Sequence, residues 1–188
     1  MVRFVTDFGD LAVILPLIVA IGLVLLAQGW QRGAIAWALA TTLTLGIMLL
    51  LKLVFIACWH HFWGIYSPSG HVAAATIVAG GLACLLLRRR LMVATVSLLA
   101  AVIIGLTRIA LGAHSPPEVV LGAIVGVSGA LALTWMAGQS MPQINLRPML
   151  FAIVMVLVIF HGWHMPAEAH IHNFAKRLAH ILPAAACD

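Results

Sequence analysis

Residues 71–90 read HVAAATIVAGGLACLLLRRR. From Val72 to Leu87 the chain carries no charge, and three consecutive arginines then end the run. A surface helix of a soluble protein alternates an apolar stripe with a polar face, and this segment has no polar face. About 20 apolar residues suffice to cross the hydrocarbon core of a bilayer. Short Arg-rich loops mark the cytoplasmic side. The stretch is therefore read as a membrane span whose Arg88–Arg90 end lies inside.

The same reading extends in both directions. Apolar runs expected to form spans cover 11–27, 34–58, 70–87, 91–111, 116–137 and 148–164. None alternates with the period of two expected of a barrel strand. The expected fold class is all-α: a polytopic membrane protein, a six-helix transmembrane bundle occupying 1–188 as one membrane domain. Composition agrees, since 64% of the 188 residues are hydrophobic and only 8% charged, with a mean hydropathy of +1.14. Soluble domains are about a quarter charged, so a soluble enzyme, a disordered chain and a disulfide-stapled secreted module are excluded. The first run follows two acids, Asp7 and Asp10, and is long enough to stay as a span instead of a cleaved signal.

The net charge of +5 could point to nucleic acid, but the basic residues sit in short breaks between apolar runs and form no patch with interleaved aromatics. No nucleic-acid partner is expected. Arg32, Arg88–Arg90 and Arg147 fall on one side of the six-span topology, and the opposite, outer side receives both termini and the breaks near His60–Ser69 and His114. Residues 167–182 place Ile171, Phe174 and Leu178 against His172, Asn173, Lys176 and Arg177, a spacing suited to an amphipathic helix in the outer interface. The alternative is a frayed tail. The three cysteines, Cys58, Cys84 and Cys187, have no CxxC spacing and read as small packing residues, with a Cys58–Cys187 bridge open.

Three charges violate the pattern. Lys52, Arg108 and Glu118 lie within or at the ends of apolar runs, where an ionisable group is costly and marks a functional site by default. With His71 and His114 they come from four runs and map to the same outer level. Ser67-Pro68-Ser69-Gly70-His71 and Ser115-Pro116-Pro117-Glu118 each open a helix with a cap and a proline. Two helix N-termini aimed at one pocket, with Lys52 and Arg108 beside them, suit a phosphate. The two histidines then suit a nucleophile and an acid. Each residue also has a plainer reading. Lys52 alone could snorkel, Thr107 is a small helix residue, and His60, His61, His161 and His164 sit near Trp59, Trp63 and Trp163 as interfacial anchors. Ser115-x-x-Glu118 is by itself a capping box. A haem site would need paired ligands on facing helices, and no cofactor or metal is expected. A serine protease using Ser69 is disfavoured because His71, two residues on, faces elsewhere on the helix.

Pro68-Ser69-Gly70-His71, followed by Arg108, five residues, His114, three residues and Glu118, resembles the type 2 phosphatidic acid phosphatase (lipid phosphate phosphatase) superfamily. Its signatures are Lys-x6-Arg-Pro, Pro-Ser-Gly-His and Ser-Arg-x5-His-x3-Asp. Here the second is intact, and the third has Thr107 for Ser and Glu118 for Asp. The first keeps Lys52 but has Trp59-His60 in place of Arg-Pro. The resemblance covers roughly 52–125. It implies a bundle of the lipid phosphate phosphatase type and a metal-independent phosphohydrolase working through a phosphohistidine. His114 would be the nucleophile, Glu118 its orienting partner and His71 the acid, while Lys52, Ser69, Gly70 and Arg108 would hold the phosphate. The expected substrate is a lipid phosphate or pyrophosphate at the outer leaflet of a bacterial inner membrane, with the active site facing the periplasm. Undecaprenyl pyrophosphate is favoured, ahead of phosphatidylglycerol phosphate, phosphatidic acid and lipid A phosphates. The alternatives are a lipid phosphotransferase and a non-catalytic lipid-binding or transport protein. Membrane lipids are the expected partners, and the sequence leaves the oligomeric state open.

Overall fold

A computed structural model describes residues 1–58, 65–87, 89–138 and 144–181. The helices are α1 (Val2–Thr6), α2 (Leu11–Ala27), α3 (Gln31–Ala57), α4 (Gly70–Leu87), α5 (Arg90–Ala110), α6 (Pro116–Ala137), α7 (Leu146–Phe160) and α8 (Ala167–Ile181), with a 3₁₀ turn over Asp7–Gly9. Among the described residues there is no strand.

The helix ends follow local chemistry. Asp10 caps α2, accepting the Ala12 N–H at 2.8 Å, and Asn145 caps α7, accepting the Arg147 N–H at 3.0 Å. Helix α5 ends on Gly112, at φ +64°, with the Gly112 N–H donating to Ile109 and the Ala113 N–H to Arg108. Those two bonds form a Schellman motif, which places a glycine where other residues are strained. The turn delivers His114 back towards the bundle only six residues after Arg108.

Among the described residues, four helices, α3, α4, α5 and α6, are long and apolar enough to cross a membrane. A fifth span results if residues 2–9 and α2, bent by 46° at Asp10, are taken together. The six-span expectation therefore holds for four or five. The run expected at 148–164 forms a helix of only 15 residues. At 1.5 Å per residue it reaches about 22 Å, short of the roughly 30 Å hydrocarbon core. It stops because the backbone turns extended at His161 and Gly162 takes φ +87°. The sequence reading also missed α1, whose Val5 packs against the small cluster of Val72, Ala101 and Ile104.

The packing is inverted relative to a soluble protein. Large apolar side chains line the outside of the helices, among them Leu39, Leu43, Ile47 and Leu50 on α3 and Leu98, Val102 and Leu106 on α5. Stripes of this size on a monomer mark contact with another apolar phase. The interior combines large side chains such as Trp37, Ile21 and Leu133 with small residues where helices cross closely. Helix α4 is central, with Val72, Ala73, Ala74, Thr76 and Ile77 fully buried, and it approaches its neighbours through glycines. A Cβ on Gly122 would lie 2.5 Å from the Ser69 carbonyl oxygen, and one on Gly81 would lie 2.5 Å from the Trp37 ring. Close approach of this kind replaces the hydrophobic effect as the driving force between helices in lipid. Trp37 is itself fully buried and donates its indole N–H to the Ile18 carbonyl at 2.9 Å, tying α3 to α2.

The two ends of the bundle differ chemically. At one end Arg32 donates to the Met136 carbonyl at 3.3 Å, Gln28 accepts the Asn145 N–H at 2.6 Å, and Arg90 lies over Trp135 at 5.3 Å. The buried charges gather at the other end.

Candidate active site

Lys52 reaches this end from the last turns of α3, His71 from the first turn of α4, Arg108 from the last turn of α5, and Glu118 from the first turn of α6. Lys52, Ser69, Arg108, His114 and Glu118 are buried, and the His71 side chain is only 16% exposed. The structure brings together every candidate residue named from the sequence. Gly70 has a steric part in this, since a Cβ there would meet Lys52 Cε at 3.2 Å. Trp59, His60, His61 and Trp63, including the positions where the first signature departs from its pattern, lie outside the described residues.

Glu118 is the organising group. Its Oε1 accepts the backbone N–H groups of Tyr66 and Ser67, both at 2.8 Å. Its Oε2 accepts the Ser115 N–H at 3.0 Å and meets His114 Nδ1 at 3.0 Å. A carboxylate can only accept, so Nδ1 carries the proton and Nε2 faces the pocket. The Glu118 carbonyl also accepts the Ser69 N–H at 3.0 Å. The capping box and the hold on His114 therefore coexist. One expectation fails here. The N-terminal end of α6 does not open onto the pocket, because prolines occupy its first two positions and its own Glu118 closes the cap.

Two acids that the sequence reading left aside join the cluster. Asp10 accepts the Ala12 and Met165 N–H groups through Oδ1 and lies 3.6 Å from His71 Nε2 through Oδ2. Glu168 enters from α8. Its Oε1 lies 3.3 Å from Lys52 Nζ, 3.4 Å from His114 Nε2 and 3.8 Å from His71 Nδ1, and its Oε2 lies 3.4 Å from Arg108. Burial would raise the pKa of Glu168, but hydrogen bonds with His114 and His71, and the charge of Lys52, hold it far below the usual carboxylate range. A signal for both acids was present. The chain has only five Asp and Glu residues, so each one in a net-basic membrane protein asks for a partner.

Lys52 also donates to Ser67 Oγ at 3.1 Å, and among the described residues the buried Ser69 Oγ and Arg108 Nε have no hydrogen-bond partner. Two cavities of about 400 Å³ each meet at this cluster. One is largely apolar and lined by Leu11, Leu15, Leu45 and Leu49. The other is lined by Tyr66, Ser67, His114, His172 and Asn173. Lys52 and Glu168 line both. Among the described residues, no three His, Cys, Asp or Glu side chains are placed to hold a metal ion. The geometry is that of an anion seat with a histidine nitrogen aimed into it and an apolar passage alongside.

Comparison with curated proteins and with solved structures returns no match. The family comparison does: the model described as PAP2 superfamily matches residues 17–142, a segment that holds Lys52, the Pro68–His71 motif, Arg108, His114 and Glu118. The chain belongs to the PAP2 superfamily, the type 2 phosphatidic acid phosphatases that its motifs resemble.

Proposed function

We propose that the protein is an integral membrane phosphatase that removes a phosphate from a lipid phosphate or pyrophosphate, with undecaprenyl pyrophosphate the favoured substrate. The observation that carries this reading is the convergence of Lys52, Arg108, His71 and His114 on a single carboxylate. Cationic groups so arranged around one anion suit the equatorial oxygens of a phosphoryl group, where charge is redistributed in the transition state. The apolar cavity beside Lys52 and His71 suits a hydrocarbon chain.

His114 Nε2 attacks phosphorus, forming a P–N bond as the P–O bond to the lipid breaks. His71 gives its proton to the departing oxygen. Water then attacks phosphorus, the P–N bond breaks, and His71 takes up a proton from that water. Glu118 fixes the imidazole and stabilises its charged form. Lys52, Ser69, Gly70 and Arg108 hold the phosphoryl oxygens, and Ser69 Oγ and Arg108 Nε gain partners. No step calls on a metal.

The arginine-bearing end suits the cytoplasm and the site then faces the periplasm of a bacterial inner membrane. Cys58, at the site end of α3, is disulfide-bonded, which suits an oxidising compartment. The test is phosphate release by the purified protein across a panel of lipid phosphates and pyrophosphates with EDTA present. Release from at least one, lost in His114→Ala, is expected. Release that needs added Mg²⁺ would refute metal independence, and release from none would favour a lipid-binding or transport role.

A further inference from the structure

Glu168 is out of place. The seat that the preceding reading gives to a phosphoryl group is filled by a carboxylate of the chain itself, bound through both oxygens to Lys52, Arg108 and His114. It is carried by a helix at the edge of the bundle. Helix α8 lies outside the matched family segment of 17–142 and rests mainly on α3. The Glu168 side chain is 43% exposed, and Phe174 one and a half turns on is more exposed still.

The fit is incomplete in an informative way. A carboxylate offers two oxygens and one charge, and with it in the seat the buried Ser69 Oγ and Arg108 Nε have no hydrogen-bond partner among the described residues. A terminal phosphoryl group offers three oxygens and, near neutral pH, close to two charges. It can satisfy more of these donors and outcompete the carboxylate. A phosphodiester offers two free oxygens and one charge, the same as the carboxylate, and gains nothing by displacing it. Glu168 Oε1, 3.4 Å from His114 Nε2, also stands where phosphorus would have to approach that nitrogen, so the occupied seat is inactive.

We propose that Glu168 is a specificity-determining residue: a built-in monoanionic competitor that a terminal phosphoryl dianion displaces and a phosphodiester lipid does not. The selectivity rests on reading this seat as a phosphoryl site. It explains how a pocket open to a bilayer avoids being filled by diester phospholipid. An occupant present nine-tenths of the time weakens apparent substrate affinity about tenfold.

The experiment compares wild type, Glu168→Gln and Glu168→Asp in detergent micelles, with phosphatidic acid as the dianionic lipid and phosphatidylglycerol as the diester. Glu168→Gln is expected to lower KM for phosphatidic acid about tenfold and to make phosphatidylglycerol a competitive inhibitor, which it is not for wild type. Glu168→Asp keeps the charge with a shorter reach and should fall between. A KM that is unchanged or raised in Glu168→Gln, or equal inhibition by the diester in both proteins, overturns the proposal. Calorimetric binding of inorganic phosphate separates the two readings. If wild type hydrolyses no lipid yet Glu168→Gln binds phosphate more tightly, the competitor stands and the hydrolase reading falls. Equal or weaker phosphate binding in Glu168→Gln removes the competitor whatever the activity.

Discussion

Replacing Glu118 by Gln tests the frame of the site. A residue that only capped α6 would tolerate this substitution, because Gln can complete a capping box, whereas one that holds His114 would not. The structure makes it severe. Both Glu118 oxygens accept two N–H groups each, from Tyr66 and Ser67 on one side and from Ser115 and His114 on the other. Gln has one oxygen, so its amide N–H₂ must face two donors. A hydrogen bond to a charged group contributes about 1.5–3 kcal/mol, and losing two from a buried carboxylate costs roughly 3–6 kcal/mol by the same measure. At about 2–4 °C per kcal/mol for a chain of this size, the melting midpoint should fall by on the order of 10 °C. The rate should fall further than folding explains. Neutralising the carboxylate behind the histidine of a serine-protease triad costs about 10⁴ in kcat. The assay pairs thermal melting in detergent with phosphate release measured well below the midpoint. A His114→Ala/Glu118→Gln double variant checks the coupling. If Glu118 acts through His114, the second substitution should leave the residual rate of His114→Ala unchanged. A wild-type rate with a lowered midpoint would reduce Glu118 to a cap, and an unchanged midpoint would refute the four-bond account.

Gly81→Ala should lower the melting midpoint by the equivalent of about 1–3 kcal/mol, the usual cost of overpacking, because the new Cβ meets the buried Trp37 ring; an unshifted melt would show slack between α3 and α4. Glu168 should stay ionised far into acid. Its pKa is depressed in the folded protein, so its ion-pair contribution is fully present above the ordinary carboxylate value and is lost only as pH falls through the depressed one. The groups facing it are Lys52, His71, Arg108 and His114. A ¹³C-labelled Glu168 carboxyl signal should therefore be flat between pH 7 and 4.5, and a titration step near the ordinary value would contradict the contacts. For sidedness, Arg89→Cys should be labelled only from the cytoplasmic side and Ala113→Cys only from outside; the reverse pattern would invert the topology.

The constellation of Lys52, His71, Arg108, His114 and Glu118 was legible because each is a polar residue where lipid allows few, at spacings that a helix and a tight turn convert into one level. The Schellman turn at Gly112 was legible in kind as a break, though not as the device that swings His114 inward. Glu168 was legible only as one of five acids in need of a partner, not as a member of this site. Its role depends on α8 docking against α3, a tertiary event more than a hundred residues from Lys52, whereas the periodicity of α8 speaks only for an apolar face of Ile171, Phe174 and Leu178 lying in the interface. In the structure Ala175 is buried and Phe174 is exposed, which aligns Glu168, Ile171 and Ala175 on the inner side. Helix α7 ends at Phe160, inside the 148–164 expected for that span, at a backbone turn through His161 and Gly162 that hydropathy does not register.

Helix α4 is wedged tightly among its neighbours, so Ser69 and His71 are set in masonry. Gly80, Gly81, Gly122 and Gly126 leave no room for even one added carbon. Selection for a new substrate, natural or in the laboratory, has little freedom there, since each change in the floor of the site disturbs several helices at once. The half-exposed strap carrying Glu168 has no such debts. Variants of α8 can be exchanged, shortened or recharged while the phosphate-facing floor stays intact, so new specificities are expected to be acquired at the roof and inherited unchanged at the floor.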